Sequence, residues 1–245
     1  MMARADALPT EGAAPVLVIT GVGRPGQLGI AVAQHFAAAG ARLVIIDRDA
    51  AVVEARGAEL RATGAPVIAA ALDLTDVPAL IAATDALLAP YEGRVDGLIH
   101  CAGGFGATGP VAESEAEAWH RQIAINLTAA YGAARAFLPA LRRTHGAAVF
   151  FASAAALPGA SVRGVAAYAT AKSGLLTLVR AIAAEERANG VRANALAPTA
   201  MRTAMNTSTM SDTTNYVELD EVIAVIRFLL SSDAARISGQ VLELA

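Results

Sequence analysis

The chain is predicted to fold as one α/β domain, a doubly wound, mainly parallel sheet of seven strands with helices on both faces. From Pro15 onward short β-branched runs alternate with longer Ala- and Leu-rich stretches. Strict alternation of strand and helix implies parallel strands joined by right-handed crossovers. The strand-like runs are almost wholly apolar, as strands covered on both faces must be. At 245 residues the length suits one large α/β domain, and no linker, low-complexity tract or short-period repeat interrupts it.

In order, "VLVIT" opens the fold and leads through a glycine-rich turn into the helical stretch "LGIAVAQHFAAAG". "RLVIID" is the second strand, followed by helical "VVEARGAELRATG"; "PVIAAALD" is the third and "DGLIHCAG" the fourth. The long stretch "WHRQIAINLTAAYGAARAFLPALRR" reads as helix, then "AAVFFAS" as the fifth strand and "YATAKSGLLTLVRAIAAEERANG" as helix. "VRANALAP" and "GQVLELA" complete the seven. Several helical stretches end in Gly, as a left-handed C-cap requires. The charge-free window "GAAVFFASAAALPGASV" approaches membrane length, but Ser, Pro and Gly break it, so it reads as a buried strand with its exit loop. Residues 1–14 carry Arg4, Asp6 and Glu11 and no apolar h-region. They are expected to be a flexible polar leader rather than a signal peptide, with the folded domain spanning 15–245.

Apolar residues make up 55% of the chain and charged ones 17%, against about 45–50% and about 25% in ordinary domains. That excess implies a large core or an additional buried subunit interface. A net charge of −3 offers no basic footprint for nucleic acid and no polybasic membrane patch. Cys101 is the one cysteine, which excludes an intrachain disulfide or a thiolate–metal cluster and suits a reducing cytoplasm. No metal site is expected.

"VLVITGVGRPGQLGIAVAQHF" is strand, glycine-rich turn, then helix. The N–H groups and dipole at such a helix start bind a pyrophosphate, and Gly21, Gly23 and Gly29 let the backbone approach it. An acid follows at the spacing this motif requires: Asp47 ends the second strand. A carboxylate there can take both ribose hydroxyls of an adenosine and repels a 2′-phosphate, so NAD(H) is favoured. Arg24 and Arg48 leave NADP(H) open, since either can pair with that phosphate. In the alternative reading, Asp47 caps the next helix.

The chain has eighteen arginines and a single lysine, Lys172, which follows Tyr168 by one helical turn and so shares its face. An adjacent ammonium favours the phenolate, easing proton transfer between Tyr168 and a carbonyl or alcohol oxygen. Lysine is a compact point charge with rotatable donors, whereas arginine presents a larger fixed fork.

With these residues the chain resembles the short-chain dehydrogenase/reductase family over nearly its whole length from Pro15. "TGVGRPGQLG" resembles the family's glycine motif with a loop longer by two residues, bringing Gln27 and Leu28 to the cofactor alongside the glycines. "AYATAK" matches the Tyr-x-x-x-Lys pair, "FFASAAALPG" places the family serine at Ser153, and "AINLTAAYGA" matches the helix asparagine, Asn126. "ANALAPTAMRT" matches the segment after the sixth strand, implying cofactor contacts at Pro198, Met201 and Thr203, the last at the nicotinamide carboxamide. The resemblance also implies Asp73 with Leu74 at the adenine, and Ala102 with Gly103 beside the cofactor. It implies a Rossmann-type fold and a hydride exchanged between a nicotinamide and a carbonyl or secondary alcohol. Tyr168 is then the general acid/base, Lys172 lowers its pKa and holds the nicotinamide ribose, and Ser153 donates to the substrate oxygen. Asn126 holds a water that links Lys172 to solvent.

The sequence also departs from the family pattern. Gln27 stands at the middle glycine of the motif. "HCAG" replaces Asn-Asn-Ala-Gly, so His100 and Cys101 read as packing residues and the motif's backbone-pinning role lacks its usual donor. Thr199 replaces a glycine after Pro198. "HCAGGFGATG" and the short segment after Thr203 look more like dihydropteridine-reductase-type members, which leaves a quinonoid ring substrate as an alternative. The enoyl-reductase branch spaces its tyrosine seven before the lysine, where this chain has Val165. A catalytically idle NAD-sensing protein is the rival from another class. The segment "AMNTSTMSDTTN" is expected to be a lid, mobile without ligand because Met205 and Met210 are its only large apolar anchors. The family's pairing of two long helices into a four-helix contact implies a homodimer or homotetramer.

Overall fold

A computed structural model of the chain describes residues 14–211 and 213–245. The expected leader lies, apart from Ala14, outside the described residues. The strands are β1 (Val16–Thr20), β2 (Arg42–Asp47), β3 (Val67–Ala71), β4 (Gly97–His100), β5 (Ala147–Phe151), β6 (Arg192–Pro198), β7 (Ala200–Met201), β8 (Tyr216–Val217) and β9 (Val241–Leu244). The helices are α1 (Leu28–Ala38), α2 (Ala50–Ala62), α3 (Val77–Leu88), α4 (Ala116–Ile123), α5 (Ala129–Thr144), α6 (Ala166–Glu185), α7 (Ala204–Thr209) and α8 (Leu219–Leu230).

Seven strands form one sheet in the order β3-β2-β1-β4-β5-β6-β9, every pairing parallel. All seven predicted strands are therefore present, in one doubly wound sheet. Because successive side chains point to opposite faces, the apolar strands feed two cores. Leu17, Ile19, Leu43 and Ile45 pack under α1, α2 and α8. Val16, Val18, Val44 and Ile46 pack under α3, α5 and α6. Burial on both faces is what lets these strands dispense with polar alternation.

Local signals start and stop the helices. Asp49 caps α2 by accepting from the Val52 N–H at 3.0 Å, and Asp76 caps α3 by accepting from Ala79 at 3.1 Å. Asp47 is thus not the cap of α2, and that alternative reading is corrected: Asp49 has the β-region backbone an N-cap needs. At the far end of the sheet, Arg192 on β6 donates to the carbonyls of Leu229 (2.6 Å), Ser231 (3.1 Å) and Ala234 (3.2 Å). Leu229 and Ser231 stand at the end of α8, where carbonyls lack helical partners, and Ala234 lies in the 3-10 turn that follows.

Two features differ from the sequence-based expectation. The long helix is interrupted at Ala124–Thr128 by a π-turn between α4 and α5, a wider turn that changes the direction in which Asn126 faces. The segment after Thr203, expected as a lid, carries helical structure not expected from the sequence. It folds as α7, and the short β7–β8 pair closes its base, with Arg202 N–H donating to Val217 O at 2.9 Å.

Candidate active site

Strand order reverses between β1 and β4, so a crevice opens where the loops after these strands part, at their C-terminal ends. One wall is the turn from β1 to α1. Gly21 has φ 74°, and a Cβ there would strike the Ala102 backbone at 2.7 Å. A Cβ on Gly29 would run into the Gly21 carbonyl, so α1 can meet the turn this closely only at glycine. Gln27, at the N-cap of α1, makes no side-chain cap, and no acid stands in the first turn. The leading N–H groups are therefore left to an external acceptor.

Asp47 lies at the end of β2 beside this turn. Its carboxylate accepts from the Gly23 N–H and the Arg48 N–H, each at 2.8 Å. It thereby holds the glycine turn in place while staying at the rim. The Asp47 carbonyl accepts from Leu72 at 2.9 Å, which seats Asp73 and buried Leu74 along the same rim. Asp73 itself accepts from the Thr75 N–H and hydroxyl at 2.8 and 2.7 Å, and these bonds hold its carboxyl below the ordinary value.

Across the crevice, β5 ends at Phe151 and leads to Ser153, whose hydroxyl accepts from Ala155 N–H at 3.3 Å. Lys172 on α6 is buried and donates to the Phe151 carbonyl at 2.6 Å, which docks the helix onto the strand that carries Ser153. Tyr168, one turn earlier on α6, stands with its ring centre 5.8 Å from the Lys172 ammonium. The Tyr168–Lys172–Ser153 grouping expected from the sequence is therefore assembled in space.

The electrostatics differ in one respect from the sequence-based picture. Burial raises the Tyr168 phenol above its ordinary value, and hydrogen bonding to Ser153 opposes it. Lys172 spends its short hydrogen bond on Phe151, and burial pushes its own pKa down to about 8. Burial therefore outweighs the Ser153 hydrogen bond, and the phenol stays above its ordinary value.

Asn126 is fully buried in the π-turn, and both ends of its side-chain amide are hydrogen-bonded. Its amide donates to Gly104 O (3.0 Å) and Gln122 O (3.1 Å), and its carbonyl accepts from Gly104 N–H (3.1 Å). The side chain therefore clamps the loop after β4. Gln122 supports it, accepting from the Asn126 amide at 3.1 Å. The pinning role that "HCAG" leaves open falls to Thr20. Its hydroxyl accepts from Ala102 N–H at 3.4 Å and pairs with His100 Nδ1 at 3.0 Å. His100 is buried, and burial takes its pKa to about 3, so it is a neutral packing residue. Neither Gln122 nor Thr20 stood out in the sequence. The one available signal was a hydroxyl at the end of an otherwise apolar first strand.

Pro198 ends β6, Met201 lies on β7, and Thr203 caps α7 by accepting from Asn206 N–H at 3.2 Å. The lid is bonded directly to the phosphate turn, for Ala204 N–H donates to Gly26 O at 2.9 Å. Pro198 and Met201 are the last residues of β6 and β7, and Gly103 and Thr203 lie just beyond β4 and β7. A nicotinamide dinucleotide fits this donor set: a glycine turn packed too closely for side chains, uncapped helix N–H groups, and a rim carboxylate.

A family model described as short chain dehydrogenase matches residues 15–214. A 2-(S)-hydroxypropyl-CoM dehydrogenase of Xanthobacter autotrophicus is 32% identical over 91% of this chain and 92% of its own. The galactitol 2-dehydrogenase (L-tagatose-forming) of Cereibacter sphaeroides is 33% identical over 91% of each chain. The crystal structure of an NAD⁺-bound xylitol dehydrogenase superposes with a TM-score of 0.83 at 25% identity, covering 94% of this chain and 97% of that one. Since the family match takes in both the glycine turn and the Tyr168–Lys172 helix, this chain belongs to the short-chain dehydrogenases, NAD(P)(H)-using oxidoreductases of alcohol and carbonyl groups.

Proposed function

We propose that the protein interconverts a ketone and a secondary alcohol with Tyr168 as general acid/base. The observation that carries this reading is the convergence of Tyr168, Lys172 and Ser153 beside the crevice, with Lys172 bonded to the strand end that leads to Ser153. The nicotinamide supplies or accepts the hydride. In reduction, the Tyr168 hydroxyl gives its proton to the carbonyl oxygen while Ser153 donates a hydrogen bond to the same oxygen as charge develops there. The phenolate left behind is held by the Lys172 ammonium and regains its proton from solvent. In oxidation the same groups run in reverse. Gly21, Gly23, Gln27, Leu28 and Gly29 would hold the pyrophosphate, and Asp47 the adenosine ribose hydroxyls, which favours NAD(H). Asp73 with Leu74 would lie at the adenine. Ala102, Gly103, Pro198, Met201 and Thr203 would line the nicotinamide end. No helix among the described residues is long and apolar enough to cross a membrane, and with one cysteine in the chain the proposed setting is the cytoplasm.

The test is Tyr168→Phe. Turnover of carbonyl substrates with NADH should fall by about 10²–10⁴-fold, the usual contribution of a general acid, while NADH binding by fluorescence titration persists. Near-normal turnover in this variant would overturn the assignment.

A further inference from the structure

We infer that Phe105 forms the substrate-facing wall beside Tyr168 and selects carbonyl compounds that carry an apolar ring next to the C=O group. The inference rests on the proposed role of Tyr168 and deepens it by naming the substrate class.

Phe105 is 70% exposed, yet it does not sit on a loose loop. The preceding residue, Gly104, is clamped through both its N–H and its C=O by the buried Asn126 side chain, at 3.1 and 3.0 Å. Three residues on, Thr108 and Gly109 both donate to the Gly164 carbonyl, at 2.9 and 3.1 Å. That carbonyl lies just ahead of α6, the helix that carries Tyr168. The loop is therefore tied on one side to the π-turn and on the other to the approach to the tyrosine. Between these ties the Phe105 ring meets the Tyr168 ring edge to face, with centres 5.2 Å apart and planes at 74°.

An apolar ring held in the open on an anchored loop leaves a large hydrophobic area in water unless a ligand covers it. The contact with Tyr168 fixes where that ligand lies, alongside the group that exchanges the proton. The rest of the loop, "GGFGATG", has no charged side chain and only Thr108 with a polar one. It therefore offers a polyol chain little to bind its hydroxyls. Aromatic side chains gain most from flat or ring-shaped apolar partners. An aryl or alicyclic ketone meets these requirements better than an open-chain sugar.

The test compares acetophenone and cyclohexyl methyl ketone with L-tagatose as substrates of the full chain with NADH, in wild type, Phe105→Ala and Phe105→Tyr. Wild type should favour the ring ketones in kcat/KM. Phe105→Ala should lower the ring-to-tagatose ratio by about 10–100-fold, within the range a hydrophobic pocket can discriminate, mainly through KM, and Phe105→Tyr should restore it. Saturation-transfer NMR on the same ketones reads ring contact without turnover. The ring protons should be saturated in wild type and Tyr168→Phe but not in Phe105→Ala. A ratio unchanged in Phe105→Ala, a wild-type preference for tagatose, or equal ring saturation in both proteins would overturn the inference. So would a Phe105→Ala protein that changes only its oligomeric state by light scattering, since the ring would then serve a subunit contact. If wild type reduces no ketone at all, the reading of Tyr168 fails, and the NMR result still decides Phe105.

Discussion

At the scale of single residues, Asp47 and Lys172 each combine a structural bond with an expected chemical role. Asp47 holds the Gly23 and Arg48 N–H groups at 2.8 Å, so its position is set by the glycine turn before any cofactor arrives. In the proposed binding mode its negative charge would repel a 2′-phosphate. Wild type should therefore bind NADH more tightly than NADPH, and Asp47→Ser should narrow the gap in fluorescence titrations. A wild-type preference for NADPH would assign control of the site to Arg24 or Arg48. Lys172 is buried, and that burial brings its pKa down to about 8. A basic group with a depressed pKa loses its charge early, so the ammonium that the proposed mechanism sets against the Tyr168 phenolate is present at pH 7 and fades above about pH 8. Tyr168 itself is raised by burial and stays protonated across this range. The rate of ketone reduction should accordingly be flat near neutrality and fall as pH rises through about 8. In Lys172→Arg, slower at every pH, this alkaline limb should vanish. A wild-type profile flat to pH 9.5 would rule out Lys172 as the titrating group.

At the scale of elements, two local irregularities shape the site. The π-turn at Ala124–Thr128 brings Asn126 over the loop after β4, and Gln122 one turn back completes its hydrogen bonding. The lid is held by polar bonds where the sequence suggested it had too few apolar anchors to be ordered. Thr203 caps α7, Asn206 donates to Met201 O at 2.8 Å, and the Tyr216 hydroxyl donates to Asn206 O at 3.3 Å. Arg202 stacks 4.5 Å over the Tyr216 ring and pairs with Glu218 at 2.7 Å. Met205 and Met210 remain 46% and 42% exposed, so little apolar burial supports the outer face. Exposed polar bonds open easily. Hydrogen exchange should therefore show weak protection of α7 in the free protein, stronger protection with NADH, and most with a ketone analogue also bound. Full protection of α7 in the free protein would mean that the lid is already closed.

For the whole molecule, the apolar fraction is high at 55%, and some large apolar side chains stay on the surface. Tyr131 on α5 is 48% exposed, and along α6 a shallow groove is lined by Ala166, Ala169, Ser173 and Gly174, small residues that let another backbone approach closely. A two-fold contact would bring the same faces of two copies together and cover both. A homodimer or homotetramer should be found by light scattering at micromolar concentration, and Tyr131→Glu should shift it toward monomer. A wild-type protein that is monomeric there would sink this assembly.

The sheet and the glycine turn were legible in the sequence because each depends on neighbours along the chain. Apolar runs report burial on both faces, and a strand, a glycine turn and a helix in succession report a phosphate cradle, so all seven strands fell where the apolar runs lie. Tyr168 and Lys172 were legible for the same reason: one helical turn separates them, and that spacing is local. Other features depended on contacts between distant segments. Only the tertiary structure brought Phe151 to Lys172, Thr20 to Ala102 and Asn126 to Gly104, and only it raised the Tyr168 phenol instead of lowering it, because desolvation is set by what surrounds a group in space. Asp47 shows both sides. Its distance from the glycine motif marked it in the sequence, but its competitor for the helix cap, Asp49, was separated from it only by the fold, which gave one residue the N-cap backbone and the other the Gly23 N–H.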